Sequence, residues 1–281
     1  MNKPIKFAFV TCVQLGLSCI ERIYEIGGKL DLLITLNDNK EVKKSGRIYL
    51  DDFAKRHKIP LIKINHINDI KVKNVLKEFS IDFLFIIGWS QIADNEIINI
   101  PHRGTFGIHP TLLPEGRGRA AIPWAILKGL KQTGVTLFKL DEGIDTGPIV
   151  DQIRIPIENK ETAFTLYEKV NKAHEELISI AYRSIINNKL IIREQDHSKA
   201  TEWLARRPAD GEIFPSMTVE EADKLIRATT HPYPGAFIQT EEGKKIIWKV
   251  EMSNDNDIKN VLLLKDGTLS ILDYEIVKMS E

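Results

Sequence analysis

One stretch of the sequence gathers side chains that can move protons or hold anions: TFGIHPTLLPEGRGRAAIPWAILKGLKQTGVTLFKLDEGIDTGPIV, from Thr105 to Val150. His109 stands before Pro110, and a residue preceding proline is driven toward extended backbone. An imidazole held in that way at the end of a strand can present its ring to a cleft, and imidazole titrates in the range suited to proton transfer near neutrality. Asp145 sits in Glu142-Gly143-Ile144-Asp145-Thr146-Gly147-Pro148, a turn whose glycines admit left-handed backbone angles. A carboxylate at the same sheet edge as His109 would orient the ring and raise its basicity, as the acid of a hydrolytic triad does. Arg117 and Arg119 lie in Glu115-Gly116-Arg117-Gly118-Arg119; there the glycines hold the loop open and the guanidinium forks could grip phosphate or carboxylate. No aromatic side chain is interleaved with them, which favours a small anion over RNA. Taken singly, each residue also reads as ordinary: a satisfied histidine, a turn aspartate, an exposed basic loop. Their combination in one stretch favours an active site.

The elements that must position these residues follow from hydrophobic patterning. Ile5–Thr11 is a continuous apolar run of the kind buried on both faces of a parallel sheet, and it reads as a first strand, not as a signal segment. Leu15–Gly27 reads as a helix closed by glycine. Strands at 30–35 and 61–64, helices at 49–57 and 72–79, and a strongly apolar strand at 81–87 continue the alternation. Such β/α alternation is the signature of a Rossmann-like α/β domain, a mostly parallel sheet with helices on both faces. Ligands of such sheets bind at the carboxyl ends of the strands, which directs attention to Thr11–Gly16, to Gly88–Gln91 and to His109 onward. Further elements are expected at 122–130 (helix), 134–140 and 149–157 (strands) and 162–187 (helix), and the length from Thr105 to Val150 fits one parallel crossover unit. From about Thr201 the texture changes to a Pro/Gly-interrupted connection, a helix at Val219–Thr229 and three short strand-like runs at 246–250, 261–264 and 269–277. The expected organisation is a catalytic domain over residues 1–200 and a smaller β-rich, OB-like domain over 201–281.

Composition narrows the function. Lys+Arg and Asp+Glu are equal at 39 each in 281 residues, so no global charge draws the chain to nucleic acid or to anionic membrane. No apolar run approaches the roughly 20 residues of a membrane helix. Cys12 and Cys19 form neither a disulfide framework nor a zinc pattern, and they fit reduced core positions in a cytoplasmic protein. The histidines are scattered without metal-ligand spacing, and neither a Walker loop nor GxGxxG occurs, so no metal is expected.

The motifs His109-Pro110-Thr111-Leu112-Leu113-Pro114, Arg117-Gly118, Thr133-Gly134-Val135-Thr136 and Asp141-Glu142-Gly143-Ile144-Asp145-Thr146-Gly147 together resemble the 10-formyltetrahydrofolate-dependent formyltransferase family, which includes methionyl-tRNA formyltransferase and the sugar N-formyltransferases. The resemblance extends to Val13-Gln14-Leu15-Gly16-Leu17, Gly88-Trp89-Ser90-Gln91 and Pro232-Tyr233-Pro234-Gly235-Ala236-Phe237. It implies that His109 acts as a base toward the attacking amine and that Asp145 positions it. In the family an asparagine two residues before the histidine stabilises the oxyanion; here that position is Gly107. Loss of one such donor costs about 10²–10³ in rate, so a water, a backbone N–H, protonated His109 or another side chain would have to serve. The resemblance also implies that N10-formyltetrahydrofolate enters with its pterin near Ile87, Trp89 and Gln91, against Leu112 and Leu113 and the backbone of Asp141, Gly143 and Ile144. It makes Leu113–Pro114 a candidate cis bond.

Thr111, Arg117 and Arg119 would then face the acceptor. From Thr201 to Glu281 there are ten Lys+Arg against fifteen Asp+Glu, an acidic balance unsuited to tRNA. Arg117-Gly118-Arg119-Ala120 followed by Pro123-Trp124 resembles the sugar branch. The expected acceptor is therefore the amine of a nucleotide-linked amino sugar destined for surface polysaccharide such as lipopolysaccharide or capsule. The alternatives are methionyl-tRNA formyl transfer, a non-catalytic folate or nucleotide-sugar binder made by loss of the asparagine at Gly107, or hydrolysis of the formyl donor. No nucleic-acid or membrane partner is expected, and the apolar strands of the second domain could build a homodimer contact as easily as a closed core.

Overall fold

The computed structural model describes residues 3–40, 46–253 and 260–278. The charge-rich segment Asp38–Lys44 reads in sequence as a solvated loop, and from position 41 it lies outside the described residues. The chain forms two compact units: Met1–Arg117 with Gly134–Ile155 and Val170–Glu202, and Gly118–Thr133 with Pro156–Lys169 and Trp203–Glu281.

The first unit opens with β1 (Phe7–Val10), α1 (Gln14–Glu25), β2 (Leu32–Leu36), α2 (Asp51–His57), β3 (Leu61–Ile64), α3 (Ile70–Glu78), β4 (Phe83–Ile86), α4 (Asn95–Asn99) and β5 (Gly104–His109). Then come β6 (Arg117–Gly118), α5 (Ala121–Leu127), β7 (Gln132–Lys139), β8 (Ile149–Pro156) and α6 (Ala163–Ile186). The large sheet has the order β3-β2-β1-β4-β5-β7-β8, and the pairs β3/β2, β2/β1, β1/β4 and β4/β5 are parallel. Side chains alternate across it. Ala8, Val10, Leu32, Ile34, Leu84 and Ile86 pack with Val72, Val75 and Leu76 of α3 and Ile97 of α4. The opposite face carries Phe7, Phe83 and Phe85, and the Phe7 ring lies 4.7 Å from that of Tyr182 on α6. Helices on both faces explain why these strands read as continuous apolar runs.

Strand order reverses between β1 and β4, the position where open α/β sheets bind ligands. The backbones leaving those two strands come close: a Cβ on Gly88 (φ +66°) would lie 2.2 Å from Val13 Cγ2. The α4 helix was absent from the sequence pattern, although Asp94 accepts a hydrogen bond from the Ile97 N–H at its start, an N-cap that five helical residues are too few to advertise by periodicity.

One expectation is overturned. The central stretch is not a parallel crossover, because β5 and β7 are adjacent and antiparallel, with Phe106 opposite Lys139 and His109 opposite Thr136. A crossover needs a helix whose apolar face covers the sheet. Here α5 groups with the second unit and packs on α7 (Val219–Thr229), with Leu127 against that unit's own core.

After β9 (Glu202–Trp203), α7 of the second unit starts with a capping box in which Thr218 and Glu221 exchange hydrogen bonds. Four strands follow, β10 (Ala236–Thr240), β11 (Gly243–Met252), β12 (Val261–Leu264) and β13 (Gly267–Val277), in an antiparallel sheet of order β10-β11-β13-β12. Ala222, Leu225 and Ile226 of α7 pack on Ile247, Leu262, Leu269 and Ile271 of that sheet. The sequence pattern missed β10, because Ala236-Phe237 follows Pro234-Gly235 directly and reads as loop. Among the described residues no helix is long and apolar enough to cross a membrane, and no cluster of His, Cys, Asp or Glu could hold a metal ion. Cys12 and Cys19 are both buried and not joined by a disulfide.

Candidate active site

His109 closes β5 and is 8% exposed. Its Nδ1 lies 3.4 Å from Asp145 Oδ2, and its Nε2 is 2.8 Å from the Gly116 carbonyl. A carbonyl only accepts, so Nε2 carries a hydrogen. Each ring nitrogen therefore faces an acceptor, and with the Nε2 hydrogen directed to the Gly116 carbonyl, Nδ1 is the nitrogen beside the Asp145 carboxylate. Because β7 is antiparallel to β5, its own end lies level with Phe106. The turn after it has to return toward His109 to bring the carboxylate there, and Asp145 does so with φ +56°, a left-handed angle that Asp tolerates better than most residues. The two residues meet as the sequence suggested, by a different route from the shared strand edge.

The loop between His109 and β6 is fixed by polar groups on neighbouring strands. Thr136 Oγ1 donates to the Thr111 carbonyl at 2.7 Å and accepts from Leu113 N–H at 3.0 Å. Gln152 Nε2 donates to the Leu113 carbonyl and to Thr136 Oγ1, both at 2.8 Å. The Leu113–Pro114 bond is cis. Beyond it, Gly116 N–H donates to Thr201 Oγ1, Arg117 N–H to the Thr201 carbonyl and Thr201 N–H to the Pro114 carbonyl.

Arg117 is not an open fork. It is 7% exposed, and its Nη2 donates to Gln195 Oε1 at 2.7 Å and to His197 Nδ1 at 2.9 Å. Its Nε is buried with no partner among the described residues. Arg119 belongs to the second unit, where its backbone N–H donates to the Trp203 carbonyl. Thr111 is 1% exposed, and its Oγ1 also has no partner among the described residues.

Gly107 sits in mid-strand on β5. A Cβ there would meet Leu140 Cδ2 at 2.9 Å, with Ile86 O and Phe138 Cε1 at 3.5 Å. Leu140 thus takes part of the room that a larger residue at this position would need, and only the mobile end of its side chain stands in the way.

Around the end of β4, Ile87 is fully buried, and Trp89 Nε1 is buried without a partner among the described residues. Gln91 is committed within the protein: its Oε1 accepts from Ile67 N–H and its Nε2 donates to the Asn65 carbonyl. Asp141 Oδ1 is likewise occupied, accepting from Gly143 N–H and Thr146 Oγ1. Leu113 is buried, packing with Phe138 and Ile149, and Leu112 is half-buried beside Gly134. Ile144 is exposed at the tip of the Asp145 turn.

Sequence reasoning passed over a second buried imidazole in this unit. His174, on α6, is 1% exposed and its Nδ1 donates to the Val170 carbonyl. Burial pushes its pKa down to about 4, and repulsion from His109 acts in the same direction. Also missed were Gln195, Gln152 and Thr201, polar residues in segments with no periodicity to mark them.

The pattern described as formyl transferase matches residues 37–181, and that of the formyl transferase C-terminal domain matches residues 206–275. The chain is 33% identical over 251 residues to the bifunctional polymyxin resistance protein ArnA of Wigglesworthia glossinidia brevipalpis; the match covers 89% of this chain and 38% of that protein, well under half of its length. An N-formyltransferase from Helicobacter canadensis, solved with folinic acid and dTDP-3-aminofucose, superposes with a TM-score of 0.72 at 22% identity, covering 97% of this chain and 100% of the other. Methionyl-tRNA formyltransferase from Clostridium thermocellum gives 0.65 at 18% identity, covering 98% and 100%.

Proposed function

Because this chain belongs to the formyl transferase family, we propose that it moves a formyl group from N10-formyltetrahydrofolate to the amine of a nucleotide-linked amino sugar. The observation that carries this reading is the His109–Asp145 pair, 3.4 Å apart beside the loop that ends in Gly116. A protein that merely bound folate would have no need of an imidazole held against a carboxylate.

The residues after β4 fit a folate. The Trp89 Nε1 and Thr111 Oγ1 groups are buried polar atoms with no partner among the described residues, and an unsatisfied buried donor is costly unless a ligand completes it. In this reading Trp89, Ile87, Leu112, Leu113 and the backbone of Asp141, Gly143 and Ile144 form the folate slot, with Gln91 in support through Ile67 and Asn65. When bound, the folate supplies an activated formyl carbon. His109 takes the proton that the attacking amine gives up, and the Asp145 carboxylate holds the resulting positive ring. Gly107 brings no side-chain donor to the developing oxyanion, so protonated His109 or the Thr111 hydroxyl takes that part. Arg117, tied through Nη2 to Gln195 and His197, braces the loop, and its buried Nε, without a partner among the described residues, is available to the substrate, while Arg119 raises affinity for the nucleotide.

A sugar acceptor is favoured over tRNA by the charge of residues 201–281, ten Lys+Arg against fifteen Asp+Glu, since phosphate contacts dominate nucleic-acid affinity. The reading puts the reaction in the cytoplasm and its product in surface polysaccharide, and takes residue 200 or so as the boundary between catalytic and accessory domains. The test is mass spectrometry of dTDP- and UDP-linked amino sugars, and separately of methionyl-tRNA, incubated with N10-formyltetrahydrofolate. A gain of one CO on a sugar nucleotide is expected. Gain on methionyl-tRNA alone would replace the acceptor, and free formate with no acylated amine would mean hydrolysis.

A further inference from the structure

Gln195 is 5% exposed, lies in the polar connection after α6 and is far in sequence from the residues it touches. Its Nε2 donates two hydrogen bonds, to the Asp145 carbonyl at 2.9 Å and to the Gly147 carbonyl at 2.7 Å. Its Oε1 accepts from Arg117 Nη2 at 2.7 Å. All three bonds are buried or half-buried, and they join the turn that carries Asp145 to the loop whose Gly116 carbonyl receives His109 Nε2.

The turn gives this contact its importance. Asp145 holds a left-handed φ of +56°, an angle that a residue bearing a Cβ keeps only where the surroundings fix it. A primary amide is the one side-chain group that can donate twice through a single nitrogen while accepting through its oxygen. A glutamate of the same length would still accept from Arg117, but in its ionised form it would set a carboxylate against two carbonyls. A methionine would fill the volume and make none of the bonds. Nothing nearby in sequence substitutes for it: Asp196 is spent on Ser198 and Lys199.

We propose that Gln195 is a positioning residue of the active site, holding the Asp145 turn at the distance from His109 at which the carboxylate acts. The inference rests on the reading that Asp145 serves His109, and both are tested together in the full-length chain. The first readout is the NMR position of the His109 ring resonances, assigned by their loss in His109→Gln, in the ligand-free protein. The variants are Asp145→Asn, Gln195→Met, Gln195→Glu and the double Asp145→Asn/Gln195→Met, with circular dichroism to certify folding. The expected result is that Gln195→Met and Gln195→Glu move the His109 resonances in the same direction as Asp145→Asn, and that the double variant adds nothing to the single one, as required of residues acting through one contact.

The second readout is turnover on whichever dTDP- or UDP-amino sugar is formylated. Two lost hydrogen bonds correspond to about 10- to 100-fold in kcat, with KM changed far less. Unmoved His109 resonances in both Gln195 variants, with Asp145→Asn displaced, would overturn the role of Gln195 alone. Unmoved resonances in Asp145→Asn would overturn the pairing beneath it and Gln195 with it. If only Gln195→Met has an effect, the residue matters as a partner of Arg117, and the turn-holding role is overturned. Should Gln195→Met fail to fold, Gln195→Glu carries both readouts by itself.

Discussion

Two imidazoles are buried in the first unit, and they could hardly be housed more differently. His109 ends a strand, faces a carboxylate from one nitrogen and a carbonyl from the other, and adjoins a loop with polar groups that have no partner among the described residues. His174 lies in mid-helix with its Nδ1 on the Val170 carbonyl, and burial pushes its pKa down to about 4. Depth alone therefore does not make a catalytic histidine. Deep burial that pushes the pKa down produces a neutral ring that packs, whereas a ring set between a carboxylate and a carbonyl is held in one orientation with a partner at each nitrogen.

The contrast can be broken most directly by exchange of roles. His109→Gln should lower kcat about 10³-fold, the range of general base catalysis, while His174→Leu should leave kcat within about threefold. Steady-state kinetics that found the reverse would make His174 the base. A smaller effect concerns stability. The unfolded chain takes up the His174 proton near pH 6.5 and the folded chain only near 4. The unfolded state is thus the better proton binder between those values, and stability is complete above about pH 6.5 and falls by about 3 kcal/mol toward pH 4. Urea unfolding at several pH values should show this slope in the wild type and lose it in His174→Leu.

Third, Gly107→Asn combined with Leu140→Ala, which clears the methyl 2.9 Å from a Cβ at 107, should raise kcat about tenfold above Leu140→Ala alone. No gain would mean that His109 or Thr111 already meets the demand at the oxyanion. The smallest effect links the two rings themselves. His109→Gln removes the charge that repels a proton from His174, and NMR should show His174 titrating less than about one unit higher.

How legible was this molecule in its sequence? The β/α alternation of the first ninety residues was plain because the inner strands β1, β2 and β4 are buried throughout, so that burial left near-continuous apolar runs. His109, Asp145 and Gly107 were legible as types in a spaced pattern. The direction of β7 was not, since an antiparallel neighbour and a parallel one bury the same residues, and α5 carries its apolar side to α7 without any mark in its composition. Nor could sequence show that Arg117 is braced from behind or that Leu140 occupies room beside Gly107. Both are long-range packing facts. Gln195 was the least legible of all, a single amide in Arg193-Glu194-Gln195-Asp196 whose partners stand some fifty to eighty positions earlier.

Trp89 has one more consequence. Its indole N–H is buried without a partner among the described residues, against the apolar group formed by Cys12, Val13, Leu36 and Leu15. Indole emission moves to longer wavelength when that hydrogen finds an acceptor, so the chain carries an optical gauge at the mouth of its sheet. Replacing the other three tryptophans, at 124, 203 and 248, by phenylalanine would leave a single-colour signal that changes as a ligand arrives, before any bond is made or broken.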